Sequence, residues 1–290
     1  MAKRSQSHPD NLPGPFFVDQ SCIDCGTCYQ FLPSVFQEAE DHSRVHRQPE
    51  GPQERHRALM ALLACPTASI GAEGKEGLQE ALGAFPDPIE DEVSFCGFTS
   101  ERSYGAWSYL IQRPRGNVLM DSPRAAPPLL KRLEALGGVA LMVLSHQDDV
   151  AEHQAFHDRF HCPRVMHRAD MGGGTAHLEQ PLDGTGPVAL APDLLIIPTP
   201  GHTAGSVCLL YREKFLFTGD HLWWNPQLQG LSASRRYNWH HWDTQLASLE
   251  RLLAYDFTWV LPGHGSAHRA ESPQAMRAEL ERALVRLRKD

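Results

Sequence analysis

Imidazoles and carboxylates gather at the ends of apolar runs in this chain. His146, Asp148, Asp149 and His153 follow the run Val139 to Leu144; His202 follows Asp193 to Thr199. Asp220 follows Phe215-Leu216-Phe217, and His264 follows Phe257 to Leu261. Two imidazoles and two carboxylates, as in His146, His202, Asp148 and Asp220, can hold zinc, iron or manganese. A cation there would lower the pKa of a bound water toward ~7 and supply a nucleophile. Thiols form a second group. Cys22, Cys25 and Cys28 are each separated by two residues, and Cys65 stands apart, directly before Pro66. Such spacing sets soft thiolates around one point, as a cubane iron–sulfur cluster or a structural zinc site requires.

These residues need elements to carry them. A short run that is apolar on both sides suits a central strand of a parallel sheet, and ligands gather beyond the carboxyl ends of such strands. Four strands can therefore deliver His or Asp to one rim. Helical patterns alternate with them. Pro127-Pro128 open a helix with Leu129, Leu130, Leu133 and Leu136 on one side, stopped by Gly137-Gly138. Asp243 can cap a helix with Leu246, Leu249 and Leu252 inward, and Ser272-Pro273 open another. Between two ligand strands, Trp223 to Trp242 packs four tryptophans, Arg235, Arg236 and Tyr237 into one connection. It reads either as a binding flap or as an aromatic clasp on the core. The alternation indicates an α/β class.

At 290 residues the chain can form one large or two unequal domains. A net charge of −8 argues against nucleic acid as a partner, since that requires a basic footprint. No segment approaches the ~20 apolar residues of a membrane span. The polar start lacks the apolar core of a signal peptide, so a cytoplasmic protein is expected. The expected organisation is a flexible tail over 1–12, a cysteine-rich domain over 13–72, a connector over 73–93 and a large domain over 94–290.

The stretches CIDCGTCYQFLPSVF and LLACPTASI resemble the single-cluster bacterial-type ferredoxins, over about residues 14–72. That resemblance implies a [4Fe–4S] cluster on Cys22, Cys25, Cys28 and Cys65; four Cys ligands favour it over a three-iron cluster. SHQDD, TPGHTAGS, FTGDH and LPGHG resemble the successive metal motifs of the metallo-β-lactamase-fold hydrolases and oxidoreductases, in order, over roughly residues 94–290. This second resemblance implies an αββα sandwich, preceded by a small α+β ferredoxin-like domain, and one or two divalent metal ions. The first motif departs from the family's H-x-H-x-D-H. Asp148 stands where the second His belongs, and Val150 and Ala151 replace the Asp-His pair. Asp148 makes the site harder and tilts it from zinc toward iron or manganese. The flavodiiron proteins, distant members of the superfamily, carry a carboxylate at the same position. If a helix starts near Asp149, His153 lies one turn along at i+4. Asp149 and His153 could then rebuild a second site with His264 and a bridging Asp220. The alternative is one metal, with His153 supporting its ligands.

The reading favoured by these residues is a metal-dependent hydrolase of a small-molecule ester, thioester, lactone or phosphoester. His146, His202 and Asp220 would be its catalytic residues, with Arg124, Tyr237 or the tryptophan-rich connection holding substrate. One alternative is an iron-dependent oxidoreductase that receives electrons from the cluster and serves a redox partner. Another is a non-catalytic metal or redox sensor.

Overall fold

The protein is represented by a computed structural model that describes residues 2–74 and 76–289. Met1, Lys75 and Asp290, which belong to the expected tail, connector and large domain, lie outside the described residues. The chain divides into two units, Met1–Leu141 with Ala151–Cys162, and Met142–Val150 with Pro163–Asp290.

In the first unit the wholly buried strand Phe16–Val18 pairs antiparallel with Ile70–Ala72. Between them lie the helices Thr27–Phe31 and Gly51–Ala64 and the hairpin Phe36–Glu38 with Ser43–Val45. The leading segment hydrogen-bonds to the strands behind it. Lys3 N–H donates to Asp19 Oδ2 at 2.7 Å, and the Asn11 amide reaches the backbones of both Val18 and Val45. Polar bonds hold it, which an apolarity pattern cannot reveal.

The connector also enters the fold. Leu78–Gly83 is a helix, and Asp87–Glu90 is a strand paired with Val93–Phe95, followed by Tyr109–Ile111 and Val118–Met120 in an antiparallel series. Phe31 packs on Phe85, Phe95 and Trp107 with ring centroids 6.0–6.3 Å apart. Arg57 covers the other side of Phe31 and binds Asp87 at 2.7 Å. This aromatic cluster joins the cysteine-rich segment to the strands that follow within the first unit.

The second unit carries a six-stranded sheet in the order Val188–Ala191, Leu194–Pro198, Val207–Tyr211, Phe215–Gly219, Trp259–Pro262, His268–Arg269. Leu194–Pro198 and Phe215–Gly219 are both antiparallel to Val207–Tyr211, and Phe215–Gly219 is parallel to Trp259–Pro262. Three strands therefore run the same way and end on one rim. Leu246, Leu249 and Leu252 of helix Trp242–Leu252 pack with Met276, Leu280, Leu284 and Leu287 of helix Pro273–Leu287 in the adjoining core. The end of strand Leu141–Val143 pairs parallel with Arg164–His167, which pairs parallel with Gln180–Leu182. The α/β class expected is the class found. Among the described residues no helix is long and apolar enough to cross a membrane.

Arg164 anchors the last pair. Its buried guanidinium donates to both Glu179 oxygens, at 3.0 and 2.7 Å. The bonds from Arg164 pull the Glu179 carboxyl down to about 2. A folded pKa below the unfolded ~4.3 means stability present above pH ~4.3 and lost as pH falls toward 2. Glu179→Gln should therefore cost roughly 2 kcal/mol at pH 7, through the half-satisfied guanidinium. The deficit should shrink below pH ~4, as read from urea midpoints across pH.

Candidate functional site

Three sheet strands and one loop build the metal-ligating cluster, all within the second unit. Asp220 and His264 leave neighbouring parallel strands, so they emerge side by side: His264 Nδ1 lies 2.8 and 2.9 Å from the two Asp220 oxygens. His202 leaves the strand Leu194–Pro198 through Gly201. The loop Ser145–Asp149 is fixed to the same sheet by a 2.9 Å bond from Val207 N–H to the Ser145 carbonyl. Gly263 permits the closest approach, because a Cβ there would stand 2.5 Å from Asp149 Oδ2 and 2.9 Å from Asp220 Oδ1.

One ligand atom each from His146, Asp148 and His202 lie within 4.8 Å of one another, as do those of His146, Asp149 and Asp220. His146 Nδ1 is engaged by Ser145 Oγ at 2.8 Å. Its Nε2 faces Asp148 Oδ2 and Asp220 Oδ2, each at 3.7 Å, and His202 Nε2 faces the same atoms at 3.5 and 4.0 Å. These gaps are too long for good hydrogen bonds. Ligands ~2.1 Å from one tetrahedral ion stand ~3.4 Å apart, close to the spacing observed. The donor set thus fits a divalent cation. Burial opposes the Asp220 charge, yet His264 and His146 hold the carboxyl well below the usual range. The nearby His202 ring, with the charges of His146 and His202, lowers the Asp148 carboxyl too, against burial.

Asp149, expected on a helix with His153, lies instead in this loop, buried beside His146 and Asp220. The helix begins only at His153, preceded by Ala151 at φ +24°, so no i,i+4 relation links the two residues. His153 is buried and falls in the other unit.

Asp170 is a residue that motif reading missed. It is buried in the turn after Arg164–His167 and accepts bonds from both ligand loops. Gln147 N–H reaches its Oδ2 at 3.2 Å, Thr203 Oγ1 reaches Oδ2 at 2.5 Å, and Gly205 N–H reaches Oδ1 at 2.5 Å. Gln147 lies between His146 and Asp148, and Thr203 follows His202, so one carboxylate fixes two ligand-bearing loops. The only sequence signal is the small polar run Thr203-Ala204-Gly205-Ser206, which leaves room for a buried acceptor. His221 is buried also, and burial pushes its imidazole down to about 3, with the charges of His202, Arg251 and His146 adding to the effect. It therefore stays neutral.

The tryptophan-rich connection divides between both readings. Trp223, Trp224 and Trp242 pack against the core, with Trp224 stacked on His268 at 3.7 Å. Tyr237 and Trp239 are exposed, 54% and 60%, and Trp239 lies 6.5 Å from the His202 ring. Arg124 is used elsewhere: it donates to the Leu63 carbonyl at 3.2 Å, within the first unit.

The thiols form a second cradle. Cys22, Cys25, Cys28 and Cys65 line one tight hollow with Thr27, Ser43, Thr67 and Ser69. Ser43 and Ser69 N–H groups donate to Cys22 and Cys65 Sγ at 3.4 Å. Burial pushes the Cys25 thiol up to about 12 and raises those of Cys22 and Cys28. Thiolates in such a cradle need cationic iron to offset the buried charge, so the residues fit a cluster. Tyr104 and Gly105 close over it: the Tyr104 hydroxyl donates to the Ile23 carbonyl and Thr27 Oγ1 to the Gly105 carbonyl. A Cβ on Gly105, at φ +83°, would stand 2.7 Å from Cys25 Sγ. Gly105→Ala should therefore lower iron and sulfide per chain well below wild type, as measured by elemental and sulfide analysis. Cys96, Cys162 and Cys208 are buried thiols away from this cradle.

Residues 18–72 match the family "4Fe-4S single cluster domain of Ferredoxin I", and residues 104–264, more than half of the chain, match the "Metallo-beta-lactamase superfamily". No curated protein matches the chain. Among solved structures, the B3 metallo-beta-lactamase BLEG-1 is similar at 22% identity and TM-score 0.46, over 57% of this chain and 89% of that one. TTHA1623, in a di-iron-bound form, is similar at 20% identity and TM-score 0.46, over 68% and 98%. An archaeal superfamily protein from Sulfolobus tokodaii is similar at 17% identity and TM-score 0.43, over 61% and 79%.

Proposed function

The chain belongs to the metallo-beta-lactamase superfamily and carries a single-cluster ferredoxin domain; from that premise we propose that it is a metal-dependent hydrolase of a small-molecule ester, thioester, lactone or phosphoester. The observation that supports this most is the spacing of the donor atoms: His146 and His202 Nε2 face Asp148 and Asp220 at 3.5–4.0 Å. His146, His202, Asp148 and Asp220 would hold the cation, with Asp149 and His264 flanking it. When bound, the cation supplies Lewis acidity and an acidified water. Asp148 is 40% exposed and His264 27%, so water and substrate have a route to the cluster. Asp220 Oδ2, which faces His146 and His202, would stand against a water at the cation, while His264 Nδ1, 2.8 and 2.9 Å from the two Asp220 oxygens, steadies the carboxylate. Tyr237 and Trp239 offer an aromatic rim for the apolar part of a substrate.

One observation favours a second reading. Asp148 supplies a hard ligand where the family motif has His, and the fused ferredoxin domain gives a one-electron source, so an iron-dependent oxidoreductase is the rival. Anaerobically purified protein separates the two. Zinc in the large domain, with ester or thioester turnover indifferent to dithionite, supports the hydrolase. Iron there, with cluster oxidation coupled to turnover and no hydrolysis, refutes it.

A further inference from the structure

A third convergence of metal-ligating atoms lies in the first unit, where the leading segment meets the ferredoxin domain, outside both sites above. One ligand atom each from His8, Asp10 and His42 lie within 4.8 Å of one another. The two imidazoles stack at 3.6 Å with planes 10° apart. His42 Nε2 stands 3.0 Å from Asp10 Oδ1, while its Nδ1 stands 2.8 Å from Asp41 Oδ1. His8 Nε2 is buried and makes no hydrogen bond. Arg44 lies 3.8 Å from the second Asp10 oxygen and helps to hold that carboxylate in place.

We propose that His8, Asp10 and His42 form a binding site for a divalent cation of the zinc or nickel type. Imidazole nitrogens with one carboxylate are a donor set that suits such ions, with water completing the shell. Asp41 has the place of a carboxylate that accepts the other ring N–H of a ligating histidine, fixing Nε2 as the metal-facing atom. The His8 and His42 rings stack face to face with His8 Nε2 buried and without a hydrogen bond, so a turn of the His8 ring out of the stack would bring that lone pair to a cation shared with His42 and Asp10. The backbone is already set. His8 N–H donates to the Val18 carbonyl at 3.0 Å, the Asn11 amide donates to the His8 carbonyl at 2.8 Å, and His42 sits in the turn of the hairpin Phe36–Glu38 with Ser43–Val45. Little chain entropy remains to be lost on binding.

The test uses the full chain with its cluster reconstituted, so that zinc cannot occupy the thiol cradle, and with the large-domain centre saturated beforehand. Zinc is then titrated against a chromophoric chelator in wild type, His8→Ala, His42→Ala and Asp10→Asn. Wild type is expected to take up one more zinc equivalent than either histidine variant, and Asp10→Asn to bind that equivalent ~10-fold more weakly. Because Ser43 bonds Cys22, His42→Ala could disturb the cradle. His8→Ala is the independent variant, and unchanged iron and sulfide content certifies it. Zinc should also shift the ring-proton resonances of His8 and His42 together. Equal zinc stoichiometry in wild type and His8→Ala, or ring resonances that do not move, overturns the proposal.

Discussion

Asp220→Asn should lower turnover by about a thousandfold, equivalent to ~4 kcal/mol of transition-state stabilisation, and reduce metal content in the large domain. The size of the effect follows from how many partners share this carboxylate. His146 and His202 face one oxygen, and His264 bonds the group from the adjoining strand. An amide has the same shape but no charge, and its nitrogen cannot ligate a cation. Burial already opposes a charge here, and the neighbouring His264 and His146 favour the ionised carboxyl. The protein should still fold, since Asn fills the same volume between Gly219 and Gly263. Turnover and metal content both matching wild type would remove Asp220 from the site.

Asp170→Asn should weaken metal binding by about 10–100-fold, although Asp170 belongs to none of the three metal-ligating groups. An amide keeps one acceptor oxygen and substitutes a donor for the other. If the oxygen stays with Gly205 N–H, the new NH₂ meets the Gln147 N–H, donor against donor. The loop bearing His146 and Asp148 then loses its tether to the loop bearing His202. A metal titration followed by calorimetry measures the loss. The discriminating sign is that KM should move less than the metal affinity, because Asp170 sets ligand spacing rather than substrate contacts. Unchanged affinity would mean that each loop holds its own geometry.

The strand ends were legible because apolar runs that stop at His or Asp carry both the element and its payload in a few residues. Leu194–Pro198, Phe215–Gly219 and Trp259–Pro262 lie within or beside their expected runs, and His202, Asp220 and His264 emerge beyond them. The cysteine spacing was legible for a similar reason: C-x2-C-x2-C needs one short turn and helix, and Thr27–Phe31 supplies the helix. Less legible were features held by polar bonds between distant segments. Asp170 meets Thr203 and Gly205 more than thirty positions away. Asn11 does likewise with Val45. The start of the helix at His153 depended on the backbone at Ala151, where an ordinary side chain adopts positive φ against its propensity. Pattern alone could also not apportion the tryptophans, because Trp224 and Trp239 differ in burial but not in type.

The ring stack around Phe31 bears on how this chain can be taken apart. Cutting after residue 72 would strip Phe85, Phe95 and Trp107 from one side of that phenylalanine and withdraw Gly105 from its seat against Cys25. The excised piece would be left with a bare greasy flank and an iron-binding hollow lacking its cover. Any portable version of the cysteine-rich segment should therefore carry residues 85–107 of the same unit with it.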